Sequence, residues 1–149
     1  MFAPNPEVSL YCVRIIGNIL AERDDFSEIF MKYQILDRVS VLLHNQSISA
    51  QGEDASLRSN RQTMRKDIFW LLSNYICDAS SANYVLNHED LRKKILAHYR
   101  SESNLATRTE IYYTISYLMY YGDRYRIYKL ALSENILAQC SHDIEVENQ

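Results

Sequence analysis

The stretch Lys66-Asp67-Ile68-Phe69-Trp70-Leu71-Leu72-Ser73-Asn74-Tyr75-Ile76 decides the fold of this chain. Ile68, Leu71, Leu72, Tyr75 and Ile76 recur at i, i+3, i+4, i+7 and i+8, the spacing of one apolar helix face. Two further segments align with it without gaps. Cys12-Val13-Arg14-Ile15-Ile16-Gly17-Asn18-Ile19-Leu20 lies 56 residues upstream, and Ile111-Tyr112-Tyr113-Thr114-Ile115-Ser116-Tyr117-Leu118-Met119 lies 43 residues downstream. The downstream offset falls within the ~40–47-residue period of armadillo and HEAT arrays. The upstream offset is one such period plus an insertion.

In the aligned columns the stripe runs through Cys12/Ile68/Ile111, Ile15/Leu71/Thr114, Ile16/Leu72/Ile115, Ile19/Tyr75/Leu118 and Leu20/Ile76/Met119. Gly17, Ser73 and Ser116 form a column of small residues. Glycine inside a helix costs about 1 kcal/mol relative to alanine, so close approach of a neighbouring helix is the expected reason for it. Two shorter helical patterns follow each long one: Asp25–Tyr33 and Ile35–His44, then Ser81–Asn87 and Glu89–Arg100, then Asp123–Leu132 and Glu134–His142. Asp24, Ser80 and Asp123 stand where N-caps are expected. Three helices per unit favour an armadillo-like over a two-helix repeat. The expected fold is therefore all-α: one armadillo-like, right-handed superhelical repeat stack over residues 1–149, beginning at the third helix of a repeat and holding about two and a third to three repeats. Residues 46–63 are polar and lack a stripe, and are expected to be a flexible insertion loop; 143–149 read as a frayed acidic tail.

Composition agrees. Only three glycines and two prolines occur in 149 residues, too few breakers for a β-hairpin architecture, while 47% hydrophobic residues suffice for a continuous core. The net charge of −3 offers no general attraction to phosphate backbones and suits a neutral or basic partner. The seven tyrosines from Tyr112 to Tyr128 could suggest stacking on bases, but the charge argues against nucleic acid. Cys12, Cys77 and Cys140 are odd in number and widely spaced, which reads as small core residues in a reducing compartment and not as a disulfide frame or zinc site. His44, His88, His98 and His142 have no metal-ligand spacing. Neither a phosphate loop nor a nucleophile with a paired base is recognisable, so no enzyme, cofactor or metal is expected. The start of the chain lacks the basic and apolar regions of a signal peptide, and no apolar run reaches membrane-spanning length. The basic runs Arg58/Arg61/Arg65/Lys66 and Arg92/Lys93/Lys94 read as solvated faces.

The polar edge of the central helix carries the functional reading. Lys66, Trp70 and Asn74 are spaced i, i+4, i+8, with Asp67 three residues before Trp70. A tryptophan off the apolar stripe can hold the stem of a Lys or Arg, worth ~0.5–2 kcal/mol. An asparagine one turn on can donate to and accept from an extended backbone. The same residues also fit a core aromatic beside a solvated amide.

These segments resemble importin-α, the adaptor family that binds nuclear-localisation peptides, whose groove-lining helices carry Trp-x-x-x-Asn with an acidic residue three before the Trp in the minor site. Asp67, Trp70 and Asn74 match that pattern. In the third segment Glu110 keeps the acidic position, while Tyr113 replaces the Trp and Tyr117 the Asn. In the first segment Arg14 takes the Trp place and Asn18 the Asn place, as in a middle repeat. The resemblance covers most of the chain except residues 46–63 and points to the C-terminal half of the family's array. It implies a basic peptide or protein cargo in a concave groove, a role in nuclear protein import, a location in cytoplasm and nucleus, and further armadillo repeats or a capping partner beyond the apolar ends. The family's basic importin-β-recruiting segment and its major-site repeats have no match here, so importin-β is not expected through this chain alone. The other reading is a divergent armadillo scaffold for protein–protein contact without import activity, motivated by the altered third station.

Overall fold

The computed structural model describes residues 5–22, 26–47, 54–133 and 135–147. Among these, all regular structure is helical, without a strand: α1 (Pro6–Glu22), α2 (Ser27–Lys32), α3 (Ile35–Ser47), α4 (Ala55–Tyr75), α5 (Ala79–Asn87), α6 (Glu89–Ser101), α7 (Leu105–Tyr121), α8 (Arg124–Ser133) and α9 (Ile136–Glu147). The all-α expectation holds, and the two shorter helices after each long one appear where the periodicity puts them.

The long helix α4 is the middle of the molecule. Its N-cap is Asp54, whose carboxylate accepts the Leu57 N–H at 2.8 Å. Every stripe residue from Ile68 to Ile76 is essentially buried, each worth roughly 1.5–3 kcal/mol relative to exposure. The helix stops where Ser81 Oγ accepts the backbone N–H groups of Cys77 and Asp78 at 3.2 Å each. Asp78 Oδ1 in turn accepts the Ser81 N–H at 2.7 Å, a capping box that starts α5.

α4 lies between α1 and α7, packing closely against both. α3 packs on α6 and α4, α5 on α6 and α7, α2 on α3 and α5, and α8 on α9. The α4–α7 seam buries Ile111, Ile115 and Leu118 with Thr114, whose Oγ1 lies 3.1 Å from the Phe69 carbonyl and 2.9 Å from that of Glu110. Left-handed residues make the two matching bends between short helices, Gln34 with φ 52° and Asn135 with φ 55°.

Several expectations need correction. Residues 55–63 are not a loop but the exposed first turns of α4; residues 46 and 47 end α3, and 48–53 lie outside the described residues. Residues 55–60 are exposed and 61–63 half-buried, so this part of α4 carries no stripe to read. The acidic tail is helical through Glu147, because Asp143 accepts a hydrogen bond from the Tyr112 hydroxyl, accepts another from Gln139 Nε2 at 3.1 Å and pairs with Arg108 at 3.4 Å. Asp78 and not Ser80 caps α5; Asp123 does cap α8, accepting from Tyr125 and Arg126 N–H at 2.9 and 3.2 Å, and Asp24 lies outside the described residues. The stripe of α1 is rotated: Ser9, Val13, Gly17 and Leu20 are buried, whereas Ile15 and Ile19 are exposed. α1 touches α4 on one side, and no described helix covers the other. The cysteines are half-buried and form no disulfide with one another; Cys140 packs against the core as expected, its Sγ 3.1 Å from the Tyr99 hydroxyl, whereas Cys12 and Cys77 lie outside the core cluster.

Candidate functional site

Facing residues of α1, α4 and α7 enclose a shallow depression of about 410 Å³, lined by Arg14, Asn18, Lys66, Asp67, Trp70 and Glu110. Five of the eight residues singled out from sequence thus meet in one place. Asn74, Tyr113 and Tyr117 are not part of the lining. Lys66 is an addition: it belongs to the Lys66/Trp70/Asn74 row, but its basic run reads as a solvated face.

The Trp70 ring is seated by the neighbouring helix. A Cβ on Gly17 would fall 2.3 Å from Trp70 Cζ3, so only glycine leaves room for the ring. The small-residue column is explained at that position. Ser73 is buried and donates to the Trp70 carbonyl at 2.8 Å, while Ser116 is exposed because no described long helix packs beyond α7. Trp70 itself remains half-exposed.

Two groups expected to meet a peptide are engaged within the protein. Asp67 is buried, and Arg14 Nε donates to its Oδ2 at 2.6 Å; Lys66 Nζ stands 3.5 Å from its other oxygen. Asn74 Nδ2 donates to the Gly17 carbonyl at 3.3 Å. Both contacts tie α4 to α1 beside the Trp70 ring.

Glu110 differs. Among the described residues its carboxylate has no hydrogen-bond or ion-pair partner at contact distance. Burial raises its pKa, Lys66 draws it down and Asp67 pushes it up. The depression therefore holds two acids and two bases, with one carboxylate left to receive a cation. Beyond it, Tyr113 and Tyr117 are exposed on α7, their rings stacked at 6.4 Å and 24°. Tyr117 continues to Tyr121 at 6.4 Å, giving an aromatic row along α7.

Comparison with protein-family models, curated proteins and solved structures finds no match for this chain. Its class rests on its own residues and geometry.

Proposed function

We propose that this chain is an armadillo-type, importin-α-like module that holds an extended basic peptide across α1, α4 and α7. The observation that carries the reading is Glu110: a half-buried carboxylate without a direct partner among the described residues, in a depression shared with a seated, partly exposed Trp70. A Lys or Arg of the peptide would place its head at Glu110 and its stem along Trp70, with Tyr113 and Tyr117 taking the neighbouring side chains. Cation–π and stem packing contribute ~0.5–2 kcal/mol per site, so affinity requires several contacts along the peptide. Electrostatic attraction at so open a site weakens as salt rises. The register of three long helices, each followed by two shorter ones, and the packing of α1 on α4 and α4 on α7 support the repeat-stack reading. A role in nuclear import and a location in cytoplasm and nucleus belong to the same proposal.

The second reading, a scaffold module without peptide binding, is favoured by the internal use of Asp67 and Asn74. Titration of a fluorescent Lys/Arg-rich peptide into wild type, Glu110→Gln and Trp70→Ala separates the two. Peptide binding predicts saturable association weakened by about tenfold in each variant, near 1.4 kcal/mol. Equal affinity for all three proteins leaves the scaffold.

A further inference from the structure

A second depression, about 490 Å³, lies away from α1 and is walled by α5, α6 and the first turns of α8. Three cationic side chains converge on it: Arg92 from α6, and Arg126 and Lys129 from α8. They come from elements about thirty residues apart in sequence, so no local run of charge shows the cluster.

Arg92 Nη1 donates to the Leu86 carbonyl at 2.9 Å, which fixes the guanidinium against the end of α5. Arg126 Nη1 lies 3.4 Å from Asn83 Oδ1 and 3.9 Å from Asp123 Oδ2. Each guanidinium keeps its Nε–H and Nη2 donors without an acceptor among the described residues, and the Lys129 ammonium has no direct partner there either. Two acids line the same depression. Asp123 is occupied in capping α8, and Glu89 is paired with Lys93 at 2.5 Å, which holds its carboxyl below the usual range; Arg92 and Lys129 act on it only through the field. Three cations thus face two acids that are largely satisfied, on a chain whose overall charge of −3 attracts no anion generally.

The remainder of the wall is Asn87 together with Leu86, Leu130 and Tyr125. Leu86 and Leu130 are buried, and the Tyr125 ring is 75% exposed. The depression has room for a group beyond a phosphate, and the exposed Tyr125 ring offers that group a flat face. Guanidinium forks match the spacing of phosphate oxygens.

We infer that this depression binds an aryl phosphomonoester, with Arg92, Arg126 and Lys129 on the phosphate and Tyr125, Leu86 and Leu130 against the ring. The proposal is independent of the peptide groove.

The test is an NMR titration of the whole chain with phenyl phosphate, inorganic phosphate and phenol, following backbone amides 86–92 and 123–130 together with the arginine Nε–H signals. Phenyl phosphate is expected to bind saturably, with shifts confined to those segments, and about tenfold more tightly than inorganic phosphate, the ratio one partly buried ring provides. The double variant R126Q/K129Q, which spares the structural Arg92 contact, is expected to weaken phenyl phosphate about tenfold or more while its spectrum elsewhere is unchanged. A capped phosphotyrosine amide separates the sources: binding at least as tight as phenyl phosphate assigns the site to a phosphotyrosyl side chain, and weaker binding assigns it to a free aryl phosphate. Shifts spread over the surface, phenol binding as tightly as phenyl phosphate, or unchanged affinity in the double variant would overturn the inference.

Discussion

The two seams that flank α4 are built differently. Toward α1 the contact is polar and shape-specific: the Trp70 ring fits over Gly17, Asn74 reaches the Gly17 carbonyl at 3.3 Å, and Arg14 holds Asp67 at 2.6 Å. Toward α7 the contact is apolar, through Ile111, Ile115 and Leu118, with one threonine bridge. Of the polar groups at that edge, Glu110 is half-buried in the depression and Tyr113 is exposed. One column of the aligned long helices therefore has two uses. Where a neighbouring long helix supplies the partner, as Arg14 does for Asp67, the acid is part of the seam. Where no described residue does, as at Glu110, the acid is left without a direct partner.

The largest effect that could break this contrast is in the apolar seam. Ile111→Ala removes a side chain only 1% exposed and is expected to cost ~2–5 kcal/mol in chemical denaturation. A loss below about 1 kcal/mol would mean that α7 does not depend on this packing. Next comes the shape-specific seam. Gly17→Val drives its side chain into the Trp70 ring and is expected to cost ~1–3 kcal/mol by the same measurement. Combining it with Trp70→Ala should cost less than the two single changes together, because the clash vanishes with the ring. Additive costs would place the strain elsewhere.

Smaller still is Asp67→Asn. The pair it breaks is buried on one side and half-exposed on the other, so a loss of about 1 kcal/mol is expected, with basic-peptide affinity nearly unchanged. A large fall in peptide affinity would return Asp67 to the binding role expected from sequence. The mildest effect concerns the side of α4 that meets α6, where the buried His98 ring meets Phe69 edge-on at 5.6 Å. Burial, and then Arg65, depress the His98 pKa below its ordinary value of 6.5. The unfolded chain thus takes up this proton more readily than the folded one. The contribution is fully present above pH about 6.5 and is lost as pH falls toward the depressed folded value. The thermal midpoint should drop on acidification through that window, and His98→Gln should flatten the drop.

Legibility followed burial. Stripe residues of α4, flanked on both sides, are buried as the periodicity predicts. Ile15 and Ile19 of α1 carry the same pattern but are exposed, because spacing shows that a face is apolar without showing that anything covers it. Residues 55–63 read as a loop for the converse reason: helical turns that bury none of their residues need no stripe. Within the candidate site, the residue types and their register were visible on each helix. The pairing of Arg14 with Asp67 spans 53 positions and joins separate long helices, so local pattern could not show which acid was already neutralised. Lys66 was hidden inside a basic run, although its place in the row with Trp70 was a usable signal.

The most direct test of the central claim is a double-mutant cycle between Glu110 and the peptide. The affinities of wild type and Glu110→Gln are measured for a Lys-containing peptide and for the same peptide with that lysine replaced by norleucine, at each lysine in turn. A carboxylate that receives a peptide cation predicts one position where either change alone weakens binding and the second adds almost nothing, a coupling of about 1 kcal/mol or more. Additive effects at every lysine would contradict it and leave Glu110 without a ligand role.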